Sequence, residues 1–287
     1  MKYFQIIVIF LLFYKYSYST SDSFPLPPWG GNIHVPTAID SGNIRVLYAM
    51  NAVNISDINT YDDLQRLEIG TTLSKYYSYD LYRGDSLVKE DRKKNPNAQS
   101  RQGVLRKIGK KINTWSVVIY SEYFKNFKEN TLSEFQIMPL GCAPRLYYIE
   151  DIPKQEWKLH DDTLTICGYL CQKATCRFRG SDFVAWFALE IPLSNGPWKF
   201  GGLPGLILKV NDNDNYYIFE CIKIEFHTSN FPITICDVNF YQKTERLKLR
   251  NYEKNIYNDY FKICNLINMD GTPLPFDPVP YHPLELE

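Results

Sequence analysis

His160, Cys167, Cys171 and Cys176 lie close together in the chain, and imidazole and thiolate are the ligands a thiophilic metal takes. Their spacing forms no C-x-x-C pair. On an extended strand Cys171 and Cys176 would fall on opposite faces about 16 Å apart, beyond the reach of one ion or one disulfide. No metal and no cofactor is therefore expected, and these thiols read first as buried or disulfide-bonded. Cys167, Cys171 and Cys176 keep one alternative open, a thiol-dependent enzyme or metal-handling protein, which an accessible low-pKa cysteine would favour. Other catalytic signals are missing. The sequence has no G-x-S-x-G elbow and no H-E-x-x-H, and its histidines are only His34, His160, His227 and His282. Asp212 and Asp214 suggest calcium, but an EF-hand loop counted from Asp212 would place Tyr217 and Lys223 where Gly and Glu are needed. That segment reads as a turn.

Glycine is concentrated at Gly201, Gly202 and Gly205 around Pro204. A phosphate-cradling loop would bring a Lys and a hydroxyl and open a helix, whereas here the β-rich run Leu206–Val210 follows. The four residues are read as a structural motif: the glycines permit positive φ or close backbone approach, and Pro204 holds Leu203 extended. Trp186, Phe187, Trp198, Phe200 and Leu203 surround it. Aromatics at strand spacing are first of all core, and if they line a cavity they are the expected ligand-binding residues for an apolar ligand.

The elements that must position these residues are mostly strands. Ile44–Val53, Arg66–Tyr79, Trp115–Tyr120, Arg145–Glu150, Thr163–Phe178, Phe183–Leu189, Leu206–Val210 and Tyr216–Phe226 are rich in β-branched and aromatic residues and bounded by Gly, Pro, Asn or Asp. Arg179–Asp182 and Asn211–Asn215 read as hairpin loops. Two helices are expected, a short one over Ser121–Asn130 and a long one over Thr244–Phe261 with Thr244 as N-cap. Arg92–Gly103 and the Pro-rich Thr272–Pro283 read as loops.

Lys2 followed by the apolar run Tyr3–Phe13, with Ser17 and Ser19 at the −3 and −1 positions of a cleavage site, reads as a signal peptide over residues 1–19. The run is too short for a membrane span, so no transmembrane span is expected after cleavage. Hydrophobic residues make up 45% of the chain and aromatic residues 15%, which suits one packed domain over residues 20–287. With 32 basic and 32 acidic residues there is no electrostatic footprint for nucleic acid. Seven cysteines in an exported chain argue for disulfides, and the odd number leaves one thiol over.

The run Gly201-Gly202-Leu203-Pro204-Gly205-Leu206-Ile207, preceded by Gly196-Pro197-Trp198-Lys199-Phe200 and by Ala185-Trp186-Phe187 with Ile191-Pro192, resembles the signature of the GLPGLI family of exported proteins from Bacteroidetes. Ile69-Gly70 with Ser74–Tyr79, and Tyr281–Glu287, are similar to it too, so the resemblance covers nearly the whole mature chain. The sequence departs from it at Ser181, where Arg is expected, and at His282, where Asn is expected. The resemblance implies a periplasmic or cell-envelope location and a β-sheet domain, with no established activity.

Together these readings predict an α+β domain dominated by a strongly twisted antiparallel sheet, curling toward a half-open barrel, with one long C-terminal helix packed on it. The expected function is non-enzymatic: an envelope protein binding an apolar ligand such as a lipid, a peptide or a partner protein.

Overall fold

The computed structural model describes residues 36–97, 120–137, 144–264, 267–268, 270–272 and 280–287. The expected signal peptide, most of the Trp115–Tyr120 strand, Gly103 and its preceding residues from 98, Cys142 and much of the Pro-rich segment lie outside the described residues. β1 (Thr37–Met50), β2 (Asp63–Gly70) and β3 (Leu73–Ser78) are followed by helix α1 (Tyr79–Lys94). Then come β4 (Tyr120–Asn126), β5 (Thr131–Ile137), β6 (Leu146–Asp151), β7 (Lys158–Ile166), β8 (Tyr169–Phe178), β9 (Ser181–Ala188), β10 (Leu206–Asp212) and β11 (Ile218–Ile235). The two-residue β12 (Gln242–Lys243) precedes helices α2 (Arg246–Asn258) and α3 (Tyr260–Ile263).

The twelve strands among the described residues form one open sheet in the order β12-β6-β5-β4-β3-β2-β1-β11-β10-β9-β8-β7. Every pairing is antiparallel except that of β12 with β6. The sheet therefore pivots on β1, which pairs with β2 on one side and the long β11 on the other. Neighbours in sequence join by tight reversals. Cys167-Gly168 connects β7 to β8 and Arg179-Gly180 connects β8 to β9, each with both residues at positive φ, as in a two-residue type I′ hairpin.

The main core lies where the two wings of the sheet meet. Val46, Tyr48 and Met50 of β1, Leu67 of β2 and Tyr76 of β3 pack with Phe183, Phe187, Val210 and Phe219 of the other wing. The connection from β9 to β10 fills the space between them: Trp198, Phe200 and Leu203 belong to the same cluster. Phe200 packs edge-on against Phe183 at 4.8 Å and against Trp198 at 5.1 Å. Smaller clusters cover the opposite face, where Phe124 and Phe135 meet Phe231 and Tyr241, and where Ala49 and Leu64 meet Tyr61 with Tyr79 beside them.

The β-dominated α+β class agrees with the sequence reading, but three helix expectations are corrected. Ser121–Asn130 is not helical; it is β4 and its turn into β5. Ser121 and Lys125 are buried on one face of this strand, and Phe124 is buried in a cluster on the other. The expected long C-terminal helix is broken at Asp259, whose extended φ of −157° ends α2 before α3 begins. Glu245, not Thr244, is the residue at its start, and it makes no side-chain cap. The longest helix among the described residues, α1, has no counterpart in the sequence reading. It starts at Ser78, whose side chain accepts from the backbone N–H of Leu81, and it follows so closely on β3 that the sequence reads as one strand to Tyr79.

No helix among the described residues is long and apolar enough to cross a membrane.

Candidate functional site

The chemistry-bearing residues that the fold does bring together were not those singled out in the sequence. Glu134 of β5 and Tyr148 of β6 are direct cross-strand partners on the inward face. The Tyr148 hydroxyl donates to Glu134 Oε2 at 2.8 Å. Lys199, from the β9–β10 connection, enters between them with Nζ 3.0 Å from Glu134 Oε2 and 2.7 Å from the Tyr148 hydroxyl. Helix α2 supplies Arg250 and Glu253, one turn apart. Arg250 pairs with Glu134 Oε1 and donates to Glu253 Oε2 at 2.8 Å. Gln136, two residues along β5 and so on the same face, donates to Glu253 Oε1 at 2.7 Å.

The third component is the segment 280–287. Glu285 pairs with Lys199 through one carboxylate oxygen. Its other oxygen accepts from Arg179 at 2.9 Å and from Arg246 at 2.8 Å. Arg179 also reaches Glu150 at 2.7 Å. Tyr281 donates to Glu253 Oε2 at 3.2 Å, and the backbone N–H of Leu286 donates to the Arg179 carbonyl at 2.9 Å. Four acids, Glu134, Glu150, Glu253 and Glu285, thus face four bases, Arg179, Lys199, Arg246 and Arg250.

Burial alone pushes the Glu134 carboxyl up, but Arg250 and Lys199 outweigh it and hold the group far below the usual carboxylate range. Glu285 follows the same logic: burial raises it, Lys199 and Arg250 lower it, and it settles at about 2. Glu253 comes out the other way, pushed up to about 7 because burial exceeds the pull of Arg250 and Glu134 repels its charge. Lys125 of β4 stands beside this network. Its ammonium donates to Asn195 Oδ1 at 3.0 Å and to the Phe200 carbonyl, with no carboxylate among these partners, and burial lowers it to about 7. The arrangement neutralises and orients charge, and it cross-links β5, β6, α2, the glycine-rich connection and segment 280–287. General acid–base work would need a substrate within hydrogen-bond reach, and Glu134, Lys199 and Glu285 have essentially no solvent-exposed side chain.

The residues expected to bind ligand are not on one surface. Phe187, Trp198, Phe200 and Leu203 are buried in the main core, whereas Trp186, on the alternate face of β9, is only half-buried, packed against that core and near Lys173. Of the structural motif, Gly201 accepts a hydrogen bond from Trp157 Nε1 at 2.7 Å, and Gly202 has φ +82° and donates to Ser194 Oγ at 3.0 Å. At Gly205 the Ala188 carbonyl oxygen lies 2.1 Å from where a Cβ would stand, which no side chain permits. Pro204 leads into this contact.

His160 is hydrogen-bonded to Thr175 Oγ1 at 2.8 Å, and no group of three or more metal-ligating side chains occurs among the described residues. Cys171 and Cys176 are buried, and burial pushes their thiols up to about 11 and about 12. Cys167 is exposed, and Cys264 is in a disulfide. One sequence signal could have exposed the network: Lys199 is a lone charge inside an otherwise apolar glycine-rich run, where a buried cation requires a buried acid.

Residues 110–251 match a family model described as the N-glycanase peptide, N-terminal domain. Two solved structures of PNGF-II, in P21 and C2 space groups, are similar to the chain at 15% and 14% identity. Each has a TM-score of 0.45 and covers 74% of this chain, against 33% and 32% of its own. The chain therefore spans about a third of the length of those structures. No curated protein matches it.

Proposed function

We propose that the protein is an exported envelope protein that binds an extended segment of a peptide or partner protein along the free edge of β7, without catalysis of its own. The observation that carries this reading is β7 itself. Among the described residues it is the last strand of the sheet order, and seven of its nine residues are exposed. An edge strand presents unpaired N–H and C=O groups that an incoming strand can take up. Ile166 and Tyr169 flank the two-residue turn, and alternation along an antiparallel pair then directs the backbone groups of Thr163 and Thr165 away from β8. Exposed Leu164 and Leu170 supply apolar contact on either side of that edge.

An apolar small-molecule ligand has less support, because the aromatics that could have lined its cavity fill the core. The sealed charge network leaves its acids and bases committed to one another, which supports a binding role over an enzymatic one. The sheet is read as a half-open barrel wrapped around the β9–β10 connection. The envelope location rests on the residue 1–19 signal and on the resemblance to GLPGLI proteins. The matched family model, named for a domain of an N-glycanase, is compatible with a glycosylated polypeptide as partner.

Selection of displayed peptides on the immobilised protein tests this reading. Peptides with alternating apolar residues should be enriched, and Thr165→Pro should weaken them at least about tenfold at unchanged melting temperature, because the lost N–H faces outward. No enrichment, or equal binding by the proline variant, refutes it.

A further inference from the structure

Cys167 occupies the first position of the β7–β8 turn at φ +49°, a conformation that a two-residue hairpin usually gives to Asn or Asp. Its side chain is directed across the molecule. Cys167 Sγ donates to the backbone carbonyl of Cys221 at 3.0 Å, and Cys221 Sγ donates to the Lys223 carbonyl at 3.7 Å. Cys221 sits on β11, which β10 and β9 separate from β8 in the pairing order. Two thiols from strands that never pair therefore meet because the sheet curls, one exposed at a turn and one buried behind it.

We propose that Cys167 and Cys221 are a redox pair, in which Cys167 reacts with a small disulfide oxidant and Cys221 resolves the adduct into an intramolecular disulfide. The Cys167 thiolate attacks one sulfur of the oxidant, forming a mixed disulfide and expelling one thiolate. Cys221 then attacks the sulfur of Cys167, expels the second thiolate and gives up its proton to it. Two protein thiols are oxidised and one disulfide is reduced to two thiols. The order follows from access, since Cys167 is exposed at the turn and Cys221 is buried behind it. Interaction between the two side chains lowers Cys167 despite its partial burial, and the same interaction together with burial raises Cys221. Cys171 is near both but buried, and its thiol is pushed up to about 11, so it competes poorly. The bond would fasten the β7–β8 hairpin, whose backbone pairing to the rest of the sheet runs through β9, to β11 near the pivot of the sheet.

The reduced full-length protein, treated with glutathione disulfide, alkylated natively and digested, decides the matter. The expected product is a cross-linked peptide pair containing Cys167 and Cys221, with Cys171 and Cys176 alkylated only after denaturation. Cys221→Ser should accumulate a glutathione adduct on Cys167 that wild type does not retain. Amides of β7 and β8 should exchange at least about tenfold more slowly in the oxidised protein. The peptide map of wild type alone suffices if the variant misfolds. A persistent adduct on wild-type Cys167, a bond from Cys167 to any other cysteine, or no reaction overturns the proposal.

Discussion

Glu134 of β5 and Lys199 of the glycine-rich connection meet at 3.0 Å with neither side chain exposed to solvent. A pair so buried adds little net stability over a well-packed apolar pair, because desolvating both ions offsets their attraction. Losing one partner is different. Lys199→Met should cost about 3–5 kcal/mol in urea unfolding, since it leaves Glu134 and Glu285 with fewer cations in a dry site. The double variant Glu134→Gln with Lys199→Met should cost clearly less than the sum of the singles. Additive losses would mean that the two side chains act independently.

Lys125 and Glu253 make stability depend on pH near neutrality, with opposite signs. Lys125 has a folded-state pKa of about 7 against 10.5 when unfolded, so between those values the unfolded chain binds more protons and stability rises with pH. Glu253 is raised from 4.5 to about 7, so between those values the folded chain holds the extra proton and stability falls as pH rises. These two groups alone therefore give a minimum close to pH 7. Lys125→Met should remove a rise between pH 7 and 10 whose slope is at most about 1.4 kcal/mol per pH unit, and Glu253→Gln should reduce the fall below pH 7 to the part that Asp85, which burial also raises to about 7, contributes. Chemical denaturation across pH 5–10 measures both slopes.

Gly202 and Gly205 look alike in the sequence and differ in the structure. Gly202 needs its positive φ, but an added Cβ would meet nothing closer than 3.7 Å, so Gly202→Ala should cost about 1 kcal/mol. At Gly205 the Cβ would strike the Ala188 backbone at 2.1 Å, where only main-chain movement gives relief. Gly205→Ala should cost at least about 3 kcal/mol or prevent folding, as read from soluble yield and melting temperature.

Trp198→Ala and Phe200→Ala should each cost about 3–5 kcal/mol, the range for deleting a large buried aromatic. Trp186→Ala, on the half-exposed face, should cost about 1 kcal/mol. Parallel urea titrations of the three variants check the ordering. A large effect at Trp186 would mean that its packing against the main core carries more than its half-burial implies.

The strand-rich class and the Arg179-Gly180 reversal were legible because periodicity and turn chemistry are local. Residue type did not separate Gly202, which has a positive φ, from Gly205, where the Ala188 backbone approaches closely. The network was not legible. Glu134 and Gln136 alternate on β5 as solvent-facing residues would, and their burial comes from α2 and segment 280–287, which no local pattern connects to β5. Helix α1 was hidden because the strand β3 runs into its N-cap without a break. The aromatics around Lys199 were legible as a cluster, but residue type cannot say whether such a cluster encloses a cavity or closes one.

Segment 280–287 supplies the most direct test of how the network is assembled. Glu285 is the point where Lys199, Arg179 and Arg246 converge, so without it three cations face one another around Glu134 and Glu150 alone. The segment also brings Leu284 to the main core and Tyr281 to Tyr257 and Glu253. Deleting residues 280–287 removes both the charge and the apolar contacts, whereas Glu285→Gln keeps the contacts and removes only the charge. The deletion should therefore lower stability more than Glu285→Gln, whose own cost should be about 3–5 kcal/mol for stranding buried cations. Added in trans, a synthetic peptide of residues 280–287 should raise the melting temperature of the deleted protein in a concentration-dependent way. The same peptide carrying Gln in place of Glu285 should fail to do so at equal concentration. If both peptides restore stability equally, apolar contact and not the carboxylate holds the segment, and the four-acid, four-base arrangement is incidental to its docking.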